Sequence, residues 1–284
     1  MGQAGYQPNN SNGNNSLGSV DLWHSRSTAV SSMQTVRVAA ERLRDIAEEL
    51  GGYRVAPCAN IASKSPMVDV DGHVLASEVF GWPDRENAWW RQPLVALSSP
   101  LPRACRYESE AFWCNTDSCY TRQPNKLLNE IDFSKLRDFA ETAALICVPV
   151  HLPFGQIGAV SFSPNDPDKH DLSVEFEAHG YIMEDLSKRF IAGYVKAMDR
   201  RNWIPTNCRL SKREVECLSW AAAGKTDQEI AMVLSRSCAT VRFHIHNAAV
   251  KLDAVNRSQT VFKAAQLGFL GSVAVVPEET LSAT

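Results

Sequence analysis

The pattern of apolar and polar positions is most regular between residues 210 and 270, where it predicts four short helices. Ser211 lies three residues before Glu214, the spacing of a capping box that begins a helix. Gly224 ends this helix, because glycine adopts the left-handed conformation of a helix C-terminus at little steric cost. Further helix starts are predicted at Thr226, Ser237 and about Ser258.

The third predicted helix has an apolar face and a polar face. Its apolar positions, Val241, Ile245, Ala248 and Leu252, recur at helical spacing and are expected to face a core. Two helices joined by a short turn, with a polar outer face on the second, form a helix-turn-helix, whose second helix can enter a DNA major groove. The residues predicted to face outward on this helix are Thr240, Arg242, Phe243, His246, Asn247 and Lys251.

The polar residues of this region have side chains suited to DNA. Arginine donors match the O6 and N7 acceptors of guanine, so Arg242 is predicted to read a base edge in the major groove. Lys225, Thr226 and Lys251 are predicted to contact phosphates, which fix the register of a protein on DNA without reading its sequence.

The two ends of the chain differ in charge. Residues 200–270 hold 11 Lys and Arg against 5 Asp and Glu, whereas residues 1–199 hold 18 against 25. A basic module attached to an acidic one favours electrostatic attraction of DNA to the tail alone.

The front part of the chain alternates helical and strand-like patterns. Residues 34–50 predict an amphipathic helix, and residues 67–75 predict a hairpin with its turn at Asp-Gly. Residues 142–152 and 156–164 predict an antiparallel strand pair, followed by a long helix over 172–200. Helices on both faces of a sheet form an α/β/α sandwich, so the predicted fold is α+β, with this sandwich followed by an all-α four-helix domain.

Residues 80–115 concentrate aromatic side chains in an irregular segment broken by prolines. Tryptophan supplies a large apolar wall and one N–H donor, a combination that small-molecule pockets use. We expect a ligand pocket here, the alternative being that these aromatic residues only form a core. They are Trp82, Trp89, Trp90, Tyr107, Phe112 and Trp113.

Length and composition bound the class of protein. A chain of 284 residues with 44% hydrophobic residues predicts a globular protein of two domains. The chain has neither an apolar stretch of roughly 20 residues nor a secretory signal, so a cytoplasmic location without a membrane partner is expected. The eight cysteines lack paired CxxC spacing, which favours small buried hydrophobic residues over a metal site.

No motif predicts an active site or a cofactor. An enzyme would need a nucleophile such as Cys105 or Cys147 with His151 or His170 as its base, held in place by a third group. Because the sequence shows no pattern that would assemble these residues, we expect no catalytic activity.

The tail resembles the LuxR-type helix-turn-helix over about 60 residues. The similarity is strongest over residues 240–259, TVRFHIHNAAVKLDAVNRSQ, which are most similar to the quorum-sensing branch of that family. The resemblance implies that Arg242, Phe243 and His246 reach base edges, and that Glu214 and His244 have structural roles.

The front part resembles, less closely, the autoinducer-binding domain of the same family, chiefly over residues 146–162. The resemblance implies that Trp113 lines a pocket, and that Trp89 or Trp90 donates to a lactone carbonyl. Where the family has an Asp before Pro to accept the amide N–H of an acyl-homoserine lactone, this chain has Ser99. Serine is a weaker acceptor, so another apolar ligand, aromatic or polycyclic, fits at least as well. The residues predicted to bind ligand are Trp89, Trp90, Ser99, Tyr107 and Trp113.

The sequence therefore predicts a transcriptional regulator that senses a small apolar ligand and binds an inverted-repeat site as a homodimer. A dimer is expected because one short helix reads only a few base pairs. The alternative is a DNA-binding regulator whose front domain is a ligand-independent dimerisation or protein-interaction module. RNA polymerase is a further expected partner. The predicted parts are a disordered tail (1–25), a sensing domain (26–199), a linker (200–209), the DNA-binding domain (210–272) and a C-terminal tail (273–284).

Overall fold

The computed structural model describes residues 28–63, 65–83, 99–198 and 208–271. The described chain divides into two compact units, of which the first lies within residues 28–198 and the second contains residues 208–271. The first combines helices with a sheet and the second is helical, so the predicted α+β fold is confirmed.

A five-stranded antiparallel sheet forms the centre of the first unit. Its strands lie in the order β1-β5-β4-β2-β3, and β4 and β5 form the predicted hairpin around a turn at Pro153–Gly155. The first seven of the eight residues of β4 are buried, because both faces of the sheet are covered. The strands are β1 (Tyr53–Cys58), β2 (Phe112–Asn115), β3 (Cys119–Thr121), β4 (Ala144–His151) and β5 (Ile157–Pro164).

Helices cover the two faces of this sheet, as predicted for an α/β/α sandwich. On one face, Leu145 and Cys147 of β4 pack in a core cluster with Ala104 and Cys105 of helix α3. On the other face, helix α1 packs against β1 and helix α5 packs against β4. The helices of this unit are α1 (Val36–Gly51), α2 (Leu75–Glu78), α3 (Pro100–Tyr107), α4 (Leu136–Ala140) and α5 (Ser173–Ala197), with 3-10 turns at Met33–Thr35 and Leu128–Glu130.

The hairpin predicted over residues 67–75 is present, but its two arms are too short to form strands. The structure has a single bridge there, between Val68 and Val74, and helix α2 follows directly. The two arms pair through backbone bonds from Asp69 N–H to the carbonyl oxygen of His73 (3.0 Å) and from Leu75 N–H to that of Met67 (2.9 Å). The buried carboxylate of Asp69 stabilises the turn between them, because it accepts hydrogen bonds from the backbone N–H groups of Asp71 (3.0 Å) and His73 (2.9 Å).

Helix α5 packs closely against the segment that precedes α1. The buried hydroxyl of Thr28 donates to the carbonyl oxygen of Leu186 at 2.9 Å. At Gly193, an added Cβ would lie 2.6 Å from the carbonyl oxygen and 2.8 Å from the backbone nitrogen of Val30. Glycine at this position is therefore required by backbone proximity.

Replacing Gly193 by Ala is expected to destabilise the first unit by roughly 1–3 kcal/mol, although alanine ordinarily favours a helix. Calorimetry of the full chain should show the unfolding transition of this unit at a temperature lower by about 5 °C. Gly180→Ala in the same helix is the control, because the nearest obstacle there is the end of the Arg122 side chain, which can move. An equal or larger loss in the control would contradict the argument.

The second unit consists of four helices around one small core, within the described range 208–271. The predicted inward residues Val241, Ile245, Ala248 and Leu252 are all buried in this core. The buried ammonium of Lys263 donates to the carbonyl oxygens of Leu252 (3.0 Å) and Asp253 (2.5 Å), at the end of the third helix. The helices are α6 (Lys212–Ala222), α7 (Asp227–Val233), α8 (Cys238–Lys251) and α9 (Arg257–Gln266).

Some of the predictions fall outside the described residues. They concern the disordered tail, most of the linker, the C-terminal tail, and the ligand contacts of Trp89 and Trp90. Among the described residues, no helix combines the length and the apolar character that a membrane crossing requires.

Candidate nucleic-acid interface

Side-chain caps fix the starts of the three helices that build the candidate interface. Ser211 caps α6 by accepting from Glu214 N–H, and Thr226 caps α7 by accepting from Glu229 N–H, each at 3.3 Å. Ser237 caps α8 by accepting from Thr240 N–H at 3.1 Å. Because each cap satisfies an otherwise unpaired amide at a helix start, these bonds fix where α8 begins and which face it exposes.

Helix α8 exposes one face that carries three chemically different side chains. Arg242 is 71% exposed, and Phe243 and His246 are exposed beside it. The opposite face is buried, so these three side chains lie away from the core of the unit. The guanidinium and the imidazole can donate hydrogen bonds to base edges. The aromatic ring offers apolar surface for contact with a thymine methyl group.

The other predicted contact residues lie around this face. Asn247 and Thr240 are partly buried, and the hydroxyl groups of Thr240 and Ser237 lie 2.8 Å apart. The Thr226 hydroxyl donates to Glu229 at 2.7 Å, and the ammonium of Lys225 lies 3.9 Å from the same carboxylate. Lys225 and Thr226 therefore stand together at the start of α7, where a phosphate would meet an ammonium and the N-terminus of a helix.

Lys251 has a partner within the unit that the sequence analysis did not predict. Its ammonium donates at 2.8 Å to both carboxylate oxygens of Glu214, 37 residues earlier in the chain. The Glu214 side chain is only 4% exposed, and its carboxylate also accepts from the Ser211 N–H at 2.7 Å. Lys251 thus neutralises a buried charge inside the unit, while its side chain stays 40% exposed, and its predicted contact with phosphate remains a prediction.

This pair should make the stability of the four-helix unit depend on pH. Burial raises the pKa of Glu214, but the hydrogen bonds from Lys251 and Ser211 outweigh it and hold that pKa below its usual 4.5. A carboxyl group with a lowered pKa in the folded state contributes stability that is present above the unfolded pKa and lost below it.

We therefore expect full stability of this unit between pH 5 and 7, and a decline as the pH falls through the folded pKa of Glu214. Hydrogen exchange of α6 and α8 in the full chain would measure this decline. Glu214→Gln should flatten it, and an unchanged pH profile in that variant would show that other carboxyl groups are responsible.

Asp227 and Arg257 are polar residues of this surface that the sequence analysis did not assign to the site. One carboxylate oxygen of Asp227 accepts from Arg257, and the other accepts from the Nε of Arg242 at 3.3 Å. An acidic residue in the first turn of a helix is expected because it interacts favourably with the helix dipole. The contacts of Asp227 with α8 and α9 could therefore not be inferred from the local sequence.

A cavity of about 230 Å³ is lined by residues of α6, of α8 and of the turn between α7 and α8. Its lining includes the buried Cys217 and Val241 together with Arg213, Arg236 and His244. The basic side chains of this lining agree with the excess of positive charge in the unit.

In the first unit, the predicted ligand residues lie in different surroundings. Ser99 is buried directly before α3, and Trp113 is buried on β2 with its ring stacked on Tyr120 at 4.0 Å between centroids. Tyr107, by contrast, is 48% exposed at the end of α3. Ser99 and Trp113 thus remain candidates for contact with a buried ligand, whereas Tyr107 opens to solvent.

Two other aromatic residues of the same segment have structural roles. The indole N–H of Trp82 donates to the carbonyl oxygen of Val55 at 2.7 Å, and the guanidinium of Arg54 lies 3.9 Å above the ring. Phe112 is fully buried in the core cluster on the α3 side of the sheet. These contacts account for both residues without a ligand.

The structure gives other contacts to His151, Cys105 and Cys147, three of the residues considered for catalysis. The Nε2 of His151 lies 2.9 Å from the carbonyl oxygen of Cys105, so the ring contacts backbone there. The thiols of Cys105 and Cys147 lie 3.6 Å apart in the core. The contact with Cys105 and burial raise the pKa of Cys147 well above its usual range, which is the opposite of an activated nucleophile.

Comparison with known proteins agrees with these two units. Residues 209–264 match the family described as bacterial regulatory proteins, luxR family. The quorum sensing-dependent transcriptional regulator RpaR of Rhodopseudomonas palustris is 39% identical over 191 residues, which cover 67% of this chain and 73% of RpaR. The transcriptional activator VanR of Vibrio anguillarum is 34% identical over 123 residues, 43% of this chain, so the chain spans half of VanR.

Two solved structures of SdiA match this chain at low similarity. Escherichia coli SdiA is 26% identical over 64% of this chain and 72% of its own, with a TM-score of 0.38. SdiA in complex with octanoyl-rac-glycerol is 20% identical over 91% of this chain and 99% of its own, with a TM-score of 0.48. The match to RpaR is longer than the tail and extends well into the first unit. The chain belongs to the LuxR family of bacterial regulatory proteins, and the resemblance seen in its sequence is confirmed.

Proposed function

We propose that this protein is a ligand-responsive transcriptional regulator that binds an inverted-repeat DNA site as a homodimer. The observation that carries the proposal is the exposed face of α8, where Arg242, Phe243 and His246 point away from a capped and well-packed core. The relatives RpaR and VanR are named as transcriptional regulators, which supports the same function. As a regulator, it would act on transcription through RNA polymerase.

The proposed reading of DNA divides between two groups of residues. Arg242 and His246 donate to base edges, and Phe243 contacts apolar base surface such as a thymine methyl group. Lys225 and Thr226 contact phosphate, with Thr240 and Asn247 at the margin of the base-reading face. A second copy supplies the second half-site, because one such helix covers too few base pairs for regulatory affinity.

Hydroxyl-radical footprinting on promoter DNA, at several salt concentrations, tests this proposal. We expect two protected half-sites related by a two-fold axis and centred about 10 base pairs apart, with affinity falling steeply as salt rises. A single protected half-site at saturation would contradict the dimer, and no protection at low salt would contradict DNA binding.

We further propose that the first unit binds a small apolar ligand, for which Ser99 and Trp113 are candidate contacts. The burial of both side chains supports this. Ser99 offers a neutral hydroxyl, so an aromatic or polycyclic ligand is proposed alongside acyl-homoserine lactones. Ligand binding would shift the population between two forms of the protein that differ in their affinity for DNA.

The alternative function for the first unit is a dimerisation or protein-interaction module without ligand. Mass spectrometry of a solvent extract of the purified protein, with thermal shifts in the presence of candidate ligands, separates the two. A co-purifying apolar compound that raises the unfolding temperature supports ligand sensing. Dimers that form equally well in extracted protein, with no thermal shift from any compound, support the alternative.

A further inference from the structure

Asp227 lies between two arginine side chains in the second unit. Its Oδ1 accepts from Nη1 of Arg257, and its Oδ2 accepts from Nε of Arg242 at 3.3 Å. Arg257 is held in turn, because its Nη2 donates to the carbonyl oxygen of Lys225 at 2.6 Å. Arg257, the first residue of α9, therefore holds the Asp227 carboxylate in place, and it is itself bound to the backbone before α7.

The contact with Asp227 uses only one of the donors of Arg242. The bond is made by Nε, which leaves the two terminal Nη groups of a side chain that is 71% exposed. Bidentate recognition of guanine requires two N–H donors of one rigid, planar guanidinium to meet O6 and N7 together. A bond at Nε orients that plane and leaves the two terminal groups available for the base.

We propose that Asp227 positions Arg242 for guanine recognition and thereby determines the base specificity of α8. This inference rests on the proposed function and assigns to Asp227 an effect on base choice. Holding Arg242 before DNA arrives reduces the conformational freedom lost on binding. The negative charge of Asp227 also repels phosphates. This repulsion disfavours DNA in which no guanine bonds to Arg242 and offsets it.

The test compares DNA sites selected from a randomised duplex pool by the full-length protein and by Asp227→Asn. We expect the wild-type protein to enrich one guanine in each half-site. The preference of the variant for guanine at that position should be about tenfold weaker. Affinity for non-specific duplex should stay the same or rise, because a negative charge near DNA is removed.

Glu216→Gln is the matched control. Glu216 is a carboxylate of similar exposure in the same unit, 27% against 24% for Asp227, and it pairs with Arg213 instead of Arg242. This variant removes the same charge, so it should change non-specific affinity in the same direction while keeping the guanine preference. Equal loss of guanine preference in both variants would overturn a specific role for Asp227.

A double-variant cycle distinguishes positioning from a general effect on folding. Adding Asp227→Asn to Arg242→Ala should cause no further loss of base preference, because the group that Asp227 positions is already absent. Thermal unfolding is followed in parallel, and Asp227→Ser repeats the test if Asp227→Asn is too unstable to assay. Unaltered guanine preference in the folded variants would overturn the inference while leaving the proposed function intact. A wild-type protein that selects no sequence would overturn both.

Discussion

Replacing Lys251 by Met is expected to destabilise the four-helix unit by roughly 2–3 kcal/mol. The loss arises because Glu214 would remain buried with no countercharge, its carboxylate accepting only from Ser211. Breaking a fully buried ion pair costs about 3–5 kcal/mol, and the smaller value here reflects the 40% exposure of the Lys251 side chain. Hydrogen exchange of α6 and α8 in the full chain should accelerate about 30- to 150-fold.

The double variant Glu214→Gln with Lys251→Met is the control for this prediction. It removes the buried charge together with its partner, while the glutamine side chain can still accept from Ser211. We expect it to recover a substantial part of the stability that Lys251→Met loses, because an unpaired buried charge costs more than a missing pair. If the double variant were less stable than Lys251→Met by the full amount that Glu214→Gln costs on its own, the two residues would not act as a pair.

Replacing Arg242 by Ala should lower specific DNA affinity by about 1–3 kcal/mol and relax base preference at one position of each half-site. The physical reason is the loss of a bidentate guanine contact, which carries sequence information in addition to charge. The core of the unit should be unaffected, since Arg242 lies on the exposed face opposite Val241, Ile245 and Ala248. Equilibrium titration with a selected site and with single-base variants of that site measures both effects.

Arg236→Ala is the matched control, because it removes the same charge from an exposed position in the turn before α8. We expect this control to weaken binding to all sequences by a similar factor and to preserve base preference. If the two variants gave the same pattern, Arg242 would contribute only charge, and the base-reading face of α8 would have to be sought elsewhere.

The local sequence predicted the features of the second unit that depend on spacing of a few residues. The capping pair at Ser211 and the apolar stripe from Val241 to Leu252 are visible in the sequence because they repeat within one helix. The partner of Lys251 could not be predicted in this way, because Glu214 lies 37 residues earlier and meets it only after folding. The same holds for Asp227 and Arg257, which lie 30 residues apart.

In the first unit, sequence patterns predicted the long elements better than the short ones. The β4–β5 hairpin and helix α5 follow from continuous apolar runs and a sustained helical face. The segment around Asp69 forms the predicted hairpin only over a single bridge, and the bonds from its turn to the buried Asp69 carboxylate could not be read from the alternating pattern. Aromatic composition predicted a pocket near Trp82, yet the bond from its N–H to Val55 depends on a strand 27 residues earlier.

The most direct test of the central claim, that α8 reads DNA through its exposed face, is methylation interference on a selected site. Methylation of guanine N7 removes the acceptor that Arg242 is expected to use. The wild-type protein should fail to bind DNA that is methylated at one particular guanine in each half-site, and Arg242→Ala should bind methylated and unmethylated DNA equally. Interference at that guanine that persists undiminished in Arg242→Ala, or its absence for the wild-type protein, would contradict the account.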